Sequence, residues 1–283
     1  MSIRGNNGFI DVDRRFGSTT GDTKGITARE QHFLERTQGR FIPLSSDLLP
    51  PTPTVWYDSD SSYITTSSSG SRVSQWDDRT SNGINATGPG GSNNPLYNTT
   101  DSDFNNLPSV EFGADDYLES SDDALLDATD GFVVYMVVKM DSFPSSFSFL
   151  LGFTNGTSWT QGWGMYYYAG TWRWFVNDWN TSSQRVEMGS WSDFTNTNIF
   201  KFKYDRTNIS GEIIGPSSVA EVTQAYSSAL QIPSSEGITF CYGGSSAYDS
   251  NATIGEMLFY NSPLSSAEES QALDYLKDKY NIS

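Results

Sequence analysis

Residues 159–179 (WTQGWGMYYYAGTWRWFVNDW) carry Trp159, Trp163, Tyr166, Tyr167, Tyr168, Trp172, Trp174, Phe175 and Trp179. Such a density of rings suits sugar recognition, in which the apolar face of a pyranose stacks on an aromatic ring while amides and carboxylates meet its hydroxyls. A strand–turn–strand layout with Ala169-Gly170 at its tip sends alternate side chains to opposite faces. Trp163, Met165 and Tyr167 then face one way, and Tyr166 and Tyr168 the other. Half of these rings belong to a core. Trp159, Trp172 and Trp179, placed near loops, are the rings expected to lie open to a carbohydrate.

Acidic loops suggest a second chemistry. Asp58-Ser-Asp60 and Asp77-Asp78 supply hard oxygen donors, and Ca²⁺ takes about six to eight of these. Asp58, Asp60, Asp77 and Asp78 are therefore the candidate calcium ligands, and calcium is the one candidate cofactor. His32 is the only histidine, which excludes a multi-histidine metal centre and argues against a histidine-based triad. Cys241, the only cysteine, has no internal disulfide partner and reads as a buried thiol within the apolar run GITFCYGG. No catalytic residue is assigned, and the chain reads as non-enzymatic.

The elements that must position these groups are strands. From Val55 onward, short β-branched and aromatic runs are bounded by Gly, Asn, Asp and Ser, which predicts an all-β, two-sheet antiparallel sandwich. FVVYMVVKM (132–140) is a near-continuous apolar strand, covered on both faces. IFKFKYD alternates, with Phe200, Phe202 and Tyr204 on one face and Lys201 and Lys203 on the other. One helix is marked at 265–280. Ser265 and Glu268 form a capping box, and Ala272, Leu273, Leu276 and Tyr280 recur at helical spacing.

Charge divides the 283-residue chain. Its 17 basic and 34 acidic residues give a net charge of −17, which argues against nucleic acid and anionic membranes as partners. Residues 1–40 hold Arg4, Arg14, Arg15, Lys24, Arg29, Arg36 and Arg40 against five acidic residues, so a mildly basic segment precedes an acidic body. Residues 1–42 show little alternation but carry spread apolar anchors, which predicts an extended arm that docks on another chain. Arg4, Phe9, Arg14, Arg15, Phe16, Phe33, Leu34 and Arg40 are its candidate docking residues. Residues 43–54 (PLSSDLLPPTPT from Pro43) read as a stiff proline-rich connector that holds the body off its anchor. The polar start (Ser2, Arg4, Asn6, Asn7) predicts no secretory signal. The sequons at Asn85, Asn98, Asn155, Asn180, Asn208, Asn251 and Asn281 then carry no glycosylation reading.

Trp56-Tyr57-Asp58, Val73-Ser74-Gln75-Trp76-Asp77-Asp78, Ser81-Asn82-Gly83-Ile84-Asn85-Ala86-Thr87 and Pro108-Ser109-Val110-Glu111-Phe112 with Asp116-Tyr117-Leu118 form one set of motifs. Ile254-Gly255-Glu256-Met257-Leu258-Phe259-Tyr260-Asn261 and the Leu276…Tyr280 helix close the other end. Over residues 55–283 this pattern resembles the concanavalin A-like lectin/glucanase superfamily in its LamG-like jelly-roll branch. The resemblance implies a jelly-roll sandwich that serves as lectin, hydrolase, adhesion module or virion component. Retaining glucanases of that superfamily carry Glu-x-Asp-x-Glu on one strand, which places both carboxylates on one face. No such strand occurs here: a glycine interrupts the Glu111 stretch, Glu119 reads as lying in a turn, and Glu256 is alone in its strand. The arm resembles the docking termini of tailed-bacteriophage structural proteins. That resemblance implies a virion protein, in a capsid-decoration or tail-associated position, oligomeric in the assembly, bound to other virion proteins through the arm and able to meet a host-surface glycan. The alternative is a carbohydrate-binding lectin module of a bacterial protein.

Overall fold

The computed structural model describes residues 49–67, 70–142, 147–191, 193, 195–244 and 248–283. The described residues form seventeen strands, numbered β1–β17 along the chain, and one α-helix, α1 (Ser266–Tyr280). One sheet runs β5 (Leu96–Asp101), β6 (Leu107–Phe112), β17 (Asn251–Tyr260), β8 (Phe132–Ser142), β13 (Asn198–Tyr204), β14 (Asn208–Ile214) and β15 (Val219–Ala225), with β1 (Val55–Asp58) also paired to β17. The other runs β2 (Ile64–Thr66), β3 (Val73–Trp76), β4 (Ala86–Thr87), β7 (Leu118–Ser120), β16 (Ile238–Phe240), β9 (Phe147–Thr154), β10 (Gly162–Tyr168), β11 (Thr171–Val176) and β12 (Arg185–Ser190). Every strand pair within the two sheets is antiparallel, as in β8 with β13 and β17, and β7 with β4 and β16. The chain is an all-β antiparallel sandwich with a C-terminal helix.

Alternation decides which side chains fill the space between the sheets. From β8 come Phe132, Val134, Met136, Val138 and Met140; from β10 and β11 come Trp163, Met165, Trp172 and Trp174. The opposite face of β8, with Val133, Tyr135 and Val137, is buried as well. α1 supplies the cover on this side: the Tyr275 ring meets Trp56 edge-on at 5.9 Å, and Tyr280 meets Phe104 at 6.1 Å. Lys201 and Lys203 alternate away from the core as expected. They do not project into free solvent, because Glu269 of α1 takes both ammonium groups, at 2.7 and 2.6 Å.

The helix begins where the capping pattern places it. The Ser265 hydroxyl accepts from the Glu268 N–H at 3.4 Å, and the Glu268 carboxylate accepts from the Ser265 N–H at 2.8 Å. Residues 50–54 were expected to belong to a stand-off connector, and they instead pack on the sandwich. Pro50 and Pro53 are buried, the Pro51 carbonyl accepts from the Tyr260 hydroxyl, and the Thr54 N–H donates to the Phe259 carbonyl at 2.8 Å. The arm of residues 1–42, with Arg4, Phe9, Arg14, Arg15, Phe16, Phe33, Leu34 and Arg40, lies outside the described residues, as does 43–48.

Candidate functional site

The outer face of the second sheet carries a row of side chains set by register. Thr87 of β4 faces Glu119 of β7, which faces Thr239 of β16, which faces Gly152 of β9. Leu118, Ile238 and Phe240 point the other way, into the core. Glu119, read from sequence as part of a turn, is therefore a strand residue projecting outward. Tyr117, two positions earlier, lies on the same face.

This face opens into a groove of about 450 Å³, walled by the 83–89 loop on one side and by Tyr117, Glu119, Ser120 and Ser121 on the other. The loop wall is held from behind by Asp78. Its Oδ1 accepts from the Trp56 and Thr80 N–H groups, and its Oδ2 accepts from the Ile84 N–H. The Asp78 N–H in turn donates to Asn85 Oδ1 at 2.9 Å. That bond orients the Asn85 amide and leaves its NH₂ with no acceptor among the described residues. A second clamp comes from Asn94, whose Oδ1 accepts from the Gly90 N–H at 2.7 Å. A Cβ on Gly88 would come within 2.3 Å of that same oxygen, so a side chain here would displace the Asn94 amide that clamps the loop.

The groove also has an aromatic element. The Tyr117 ring stacks on the Tyr242 ring with centroids 4.5 Å apart and planes 18° from parallel. Asp116 positions Tyr117: its Oδ2 accepts from the Gly113 N–H at 2.9 Å, and its Oδ1 accepts from Arg72 at 3.3 Å. Tyr242 follows Cys241, whose left-handed backbone (φ 59°) turns the chain out of β16. Burial and the Tyr242 and Glu119 charges push the Tyr117 hydroxyl pKa up. Burial, then the charge of Glu236, raises the Glu119 carboxyl above its ordinary range. Glu236 is raised in the same way, by burial and by Asp122. No cation or hydrogen-bond donor reaches the Glu119 or Glu236 carboxylate among the described residues.

The residues expected to bind sugar lie elsewhere. Trp172 is fully buried in the main core, packed on Trp174, Trp191 and Phe200. Trp159 is 2% exposed and sits among Phe149, Phe147 and Tyr248 at 4.8–5.4 Å. Neither is an open ring. Both correct the expectation, because nearness to a loop in sequence does not prevent a second aromatic layer from closing over the ring. Trp179 is half-buried at the edge of that layer, edge-on to Trp159 at 5.8 Å.

The four candidate calcium ligands do not converge. Asp58 is 3% exposed, and its Oδ2 accepts from Arg79 at 2.6 Å and Lys279 at 2.9 Å. Asp60 accepts from the Ser62 N–H, Asp77 accepts from the Gln75 amide, and Asp78 holds the loop described above. Asp58 and Asp78 are engaged by several protein donors, and Asp60 and Asp77 by one each. Among the described residues no group of three acidic, histidine or cysteine side chains is placed to hold a metal ion. The four side chains therefore do not form one cluster of ligands.

Tyr117, Tyr242, Glu119 and Asn85 are the site residues that sequence reasoning missed. The alternation Tyr117-Leu118-Glu119 was a legible signal for the first and third. Nothing local marks Tyr242 as its partner, because the two are joined only through the β7–β16 pairing.

No protein-family model matches this chain, and no curated protein matches it in sequence. Solved structures match it in fold. The binding domain of botulinum neurotoxin serotype G is similar over 79% of this chain and 50% of that one, at 13% identity and a TM-score of 0.55. Trypanosoma rangeli sialidase in complex with sialic acid is similar over 88% of this chain and 38% of that one, at 15% identity and a TM-score of 0.54. Botulinum neurotoxin type C, which depends on interaction with two ganglioside molecules to enter cells, is similar over 74% and 52%, at 10% identity and a TM-score of 0.51. The chain spans about two fifths to a half of these proteins' lengths. At such identities the likeness is one of fold.

Proposed function

We propose that this chain is a non-enzymatic, glycan-binding β-sandwich of LamG-like type, carried on a larger assembly by its N-terminal residues 1–42. The observation that carries the glycan reading is the groove. Tyr117, which lines the groove and stacks on Tyr242, offers an aromatic ring, and the free Asn85 NH₂ and the Glu119 carboxylate offer a donor and an acceptor beside it. A sugar ring needs that combination: an aromatic shelf for its C–H face and fixed polar groups for its hydroxyls. The sialic acid and ganglioside contacts of proteins similar in fold support the same reading.

Tyr117→Ala is expected to weaken binding of the best ligand on a microbial glycan array at least about tenfold, which corresponds to ~1.4 kcal/mol, with the melting temperature little changed. Silence of the native protein across such an array would sink the glycan reading.

The assembly we propose is a tailed-phage particle, with the basic, apolar-studded arm as anchor and the acidic sandwich outward. Removal of residues 1–45 is expected to leave a soluble folded sandwich and to abolish incorporation into particles. Incorporation of the shortened chain would overturn the docking role.

Glycoside hydrolysis is a second reading, favoured by one observation: Glu119, whose carboxyl is raised by burial and by the charge of Glu236, lines the groove. Reducing-end release from a β-glucan, lost in Glu119→Gln, would establish it. Glu111 and Glu256 are unsuited to that work. Glu111 is taken by the Asn98 amide, and Glu256 is wholly buried under α1.

A further inference from the structure

We infer that the ligand of this groove is a neutral saccharide, one that bears no carboxylate, sulfate or phosphate; the inference rests on the glycan-binding reading above. Proteins hold such oxyanions with basic side chains or with several backbone N–H groups aimed at one point. The groove offers neither. None of its lining residues is basic, and one of them, Glu119, is itself a carboxylate. Arg72 reaches Asn94, the residue that clamps the loop wall, but its guanidinium donates there to the Asn94 carbonyl and to Asp116 Oδ1.

The backbone of the loop wall is engaged as well. The Ile84 N–H donates to Asp78, the Asn85 N–H to the Gly83 carbonyl at 3.0 Å, the Gly88 N–H to the Ser74 carbonyl at 3.0 Å, and the Gly90 N–H to Asn94. A glycine-bearing loop can cradle a phosphate when its N–H groups converge on the ligand. These four are turned to partners within the protein instead.

The groups left open suit hydroxyls. Asn85 presents its NH₂ from the loop wall, oriented by the Asp78 N–H on its Oδ1. Glu119 presents its carboxylate from the sheet, and a hydroxyl donated to a carboxylate makes a charge-assisted bond, about twice as strong as a neutral one. Ser120 adds nothing, since its Oγ accepts from the Ile238 N–H at 2.8 Å and donates to the Ser121 carbonyl at 3.1 Å. A pyranose against Tyr117 can thus give one hydroxyl to Glu119 on one wall and receive Asn85 on another hydroxyl from the opposite wall. The same carboxylate works against an anionic substituent, because like charges brought together reject a ligand. One side chain both recognises the hydroxyl and excludes the acid. The fold shared with a sialic acid complex therefore does not extend to its ligand.

The test uses the full chain in physiological salt at near-neutral pH, where bulk repulsion by the acidic chain is largely screened. A glycan array of neutral and acidic microbial polysaccharides gives the best ligand. Calorimetry then compares that oligosaccharide with its own form oxidised at C6 to the uronic acid, and with sialyllactose. Every strong array signal is expected to come from a neutral glycan, and the oxidised form is expected to bind at least about tenfold more weakly than its parent. Glu119→Gln keeps the size of the side chain and removes its charge. In that variant the neutral parent is expected to bind more weakly, and the gap to the oxidised form to shrink several-fold. An acidic glycan among the strongest array signals, or equal affinity for parent and oxidised form, would overturn the inference. A gap that stays unchanged in Glu119→Gln would also overturn it, since the discrimination would then arise outside the groove. Silence toward every glycan would remove the glycan-binding reading itself, a result distinct from capture of an acidic one.

Discussion

Replacing Lys279 by alanine is expected to destabilise the sandwich by about 3–5 kcal/mol and to lower its melting temperature by about 10 °C. The Lys279 ammonium lies 2.9 Å from Asp58 and 2.8 Å from Glu256, whose side chains are 4% and 0% exposed. Glu256 also accepts from the Trp56 indole at 2.5 Å and from the Tyr275 hydroxyl at 2.9 Å. Burial opposes the lysine charge, and the two carboxylates outweigh it, holding the ammonium pKa well above its usual value. The sign follows directly. A raised lysine contributes stability that is fully present below its unfolded pKa of about 10.4 and is lost only as pH rises through the still higher folded value. The network therefore holds throughout the neutral range.

Removing only the cation leaves Glu256 charged and dry beneath α1. The size of the loss reflects that stranded charge more than the worth of the pair. A Glu256→Gln/Lys279→Met double variant is accordingly expected to recover much of the loss, because it removes both charges together. Chemical denaturation of the three proteins decides the matter. A cost below about 1 kcal/mol for Lys279→Ala would place the ammonium among ordinary surface charges and contradict the buried network.

The second large effect concerns pH. Asp249 is 1% exposed; its Oδ2 accepts from the Asp115 N–H at 3.1 Å, and its Oδ1 has no partner. Burial, reinforced by the charges of Asp115 and Asp116 and only partly offset by that hydrogen bond, pushes its carboxyl up to about 7. A carboxyl raised above its unfolded value contributes stability that is present below about pH 4 and lost as pH rises through about 7. Other acidic groups are raised as well, notably Asp116 and Asp141, both by burial. The prediction is therefore a difference. Relative to Asp249→Asn, the native protein is expected to lose stability between about pH 4 and about pH 7, with a slope of at most ~1.4 kcal/mol per pH unit. The variant keeps an acceptor for the Asp115 N–H, so it should be the more stable protein above pH 7. A difference that stays flat across this range would show that the carboxylate is solvated.

Both effects depend on contacts that sequence order hides. Asp58 and Lys279 are 221 positions apart, and Asp249 meets Asp115 across 134. The Trp56-Tyr57-Asp58 opening and the Ile254–Asn261 run were legible as the two ends of one sandwich. That they lie side by side, Val55 against Phe259 and Asp58 against Glu256, appears only in the β1–β17 register. A local reading therefore sees Asp58 as a loop acid fit for calcium, whereas the fold makes it half of a buried ion pair.

What the amino-acid order determined by itself is set by short-range physics. Period-two alternation placed Trp163 and Met165 opposite Tyr166, and it placed Phe200, Phe202 and Tyr204 opposite Lys201 and Lys203. The capping box at Ser265 and Glu268 started the final helix at the observed residue. Such features need only a few neighbouring residues, so they survive translation from sequence to structure. Tertiary structure alone decided exposure and convergence. Trp159 and Trp172 are buried because other strands supply rings to cover them, and Glu119 comes to face Thr239 and Tyr117 meets Tyr242 because β7 pairs with β16. The groove is a property of that pairing, since a binding site is assembled by register between strands that are distant along the chain.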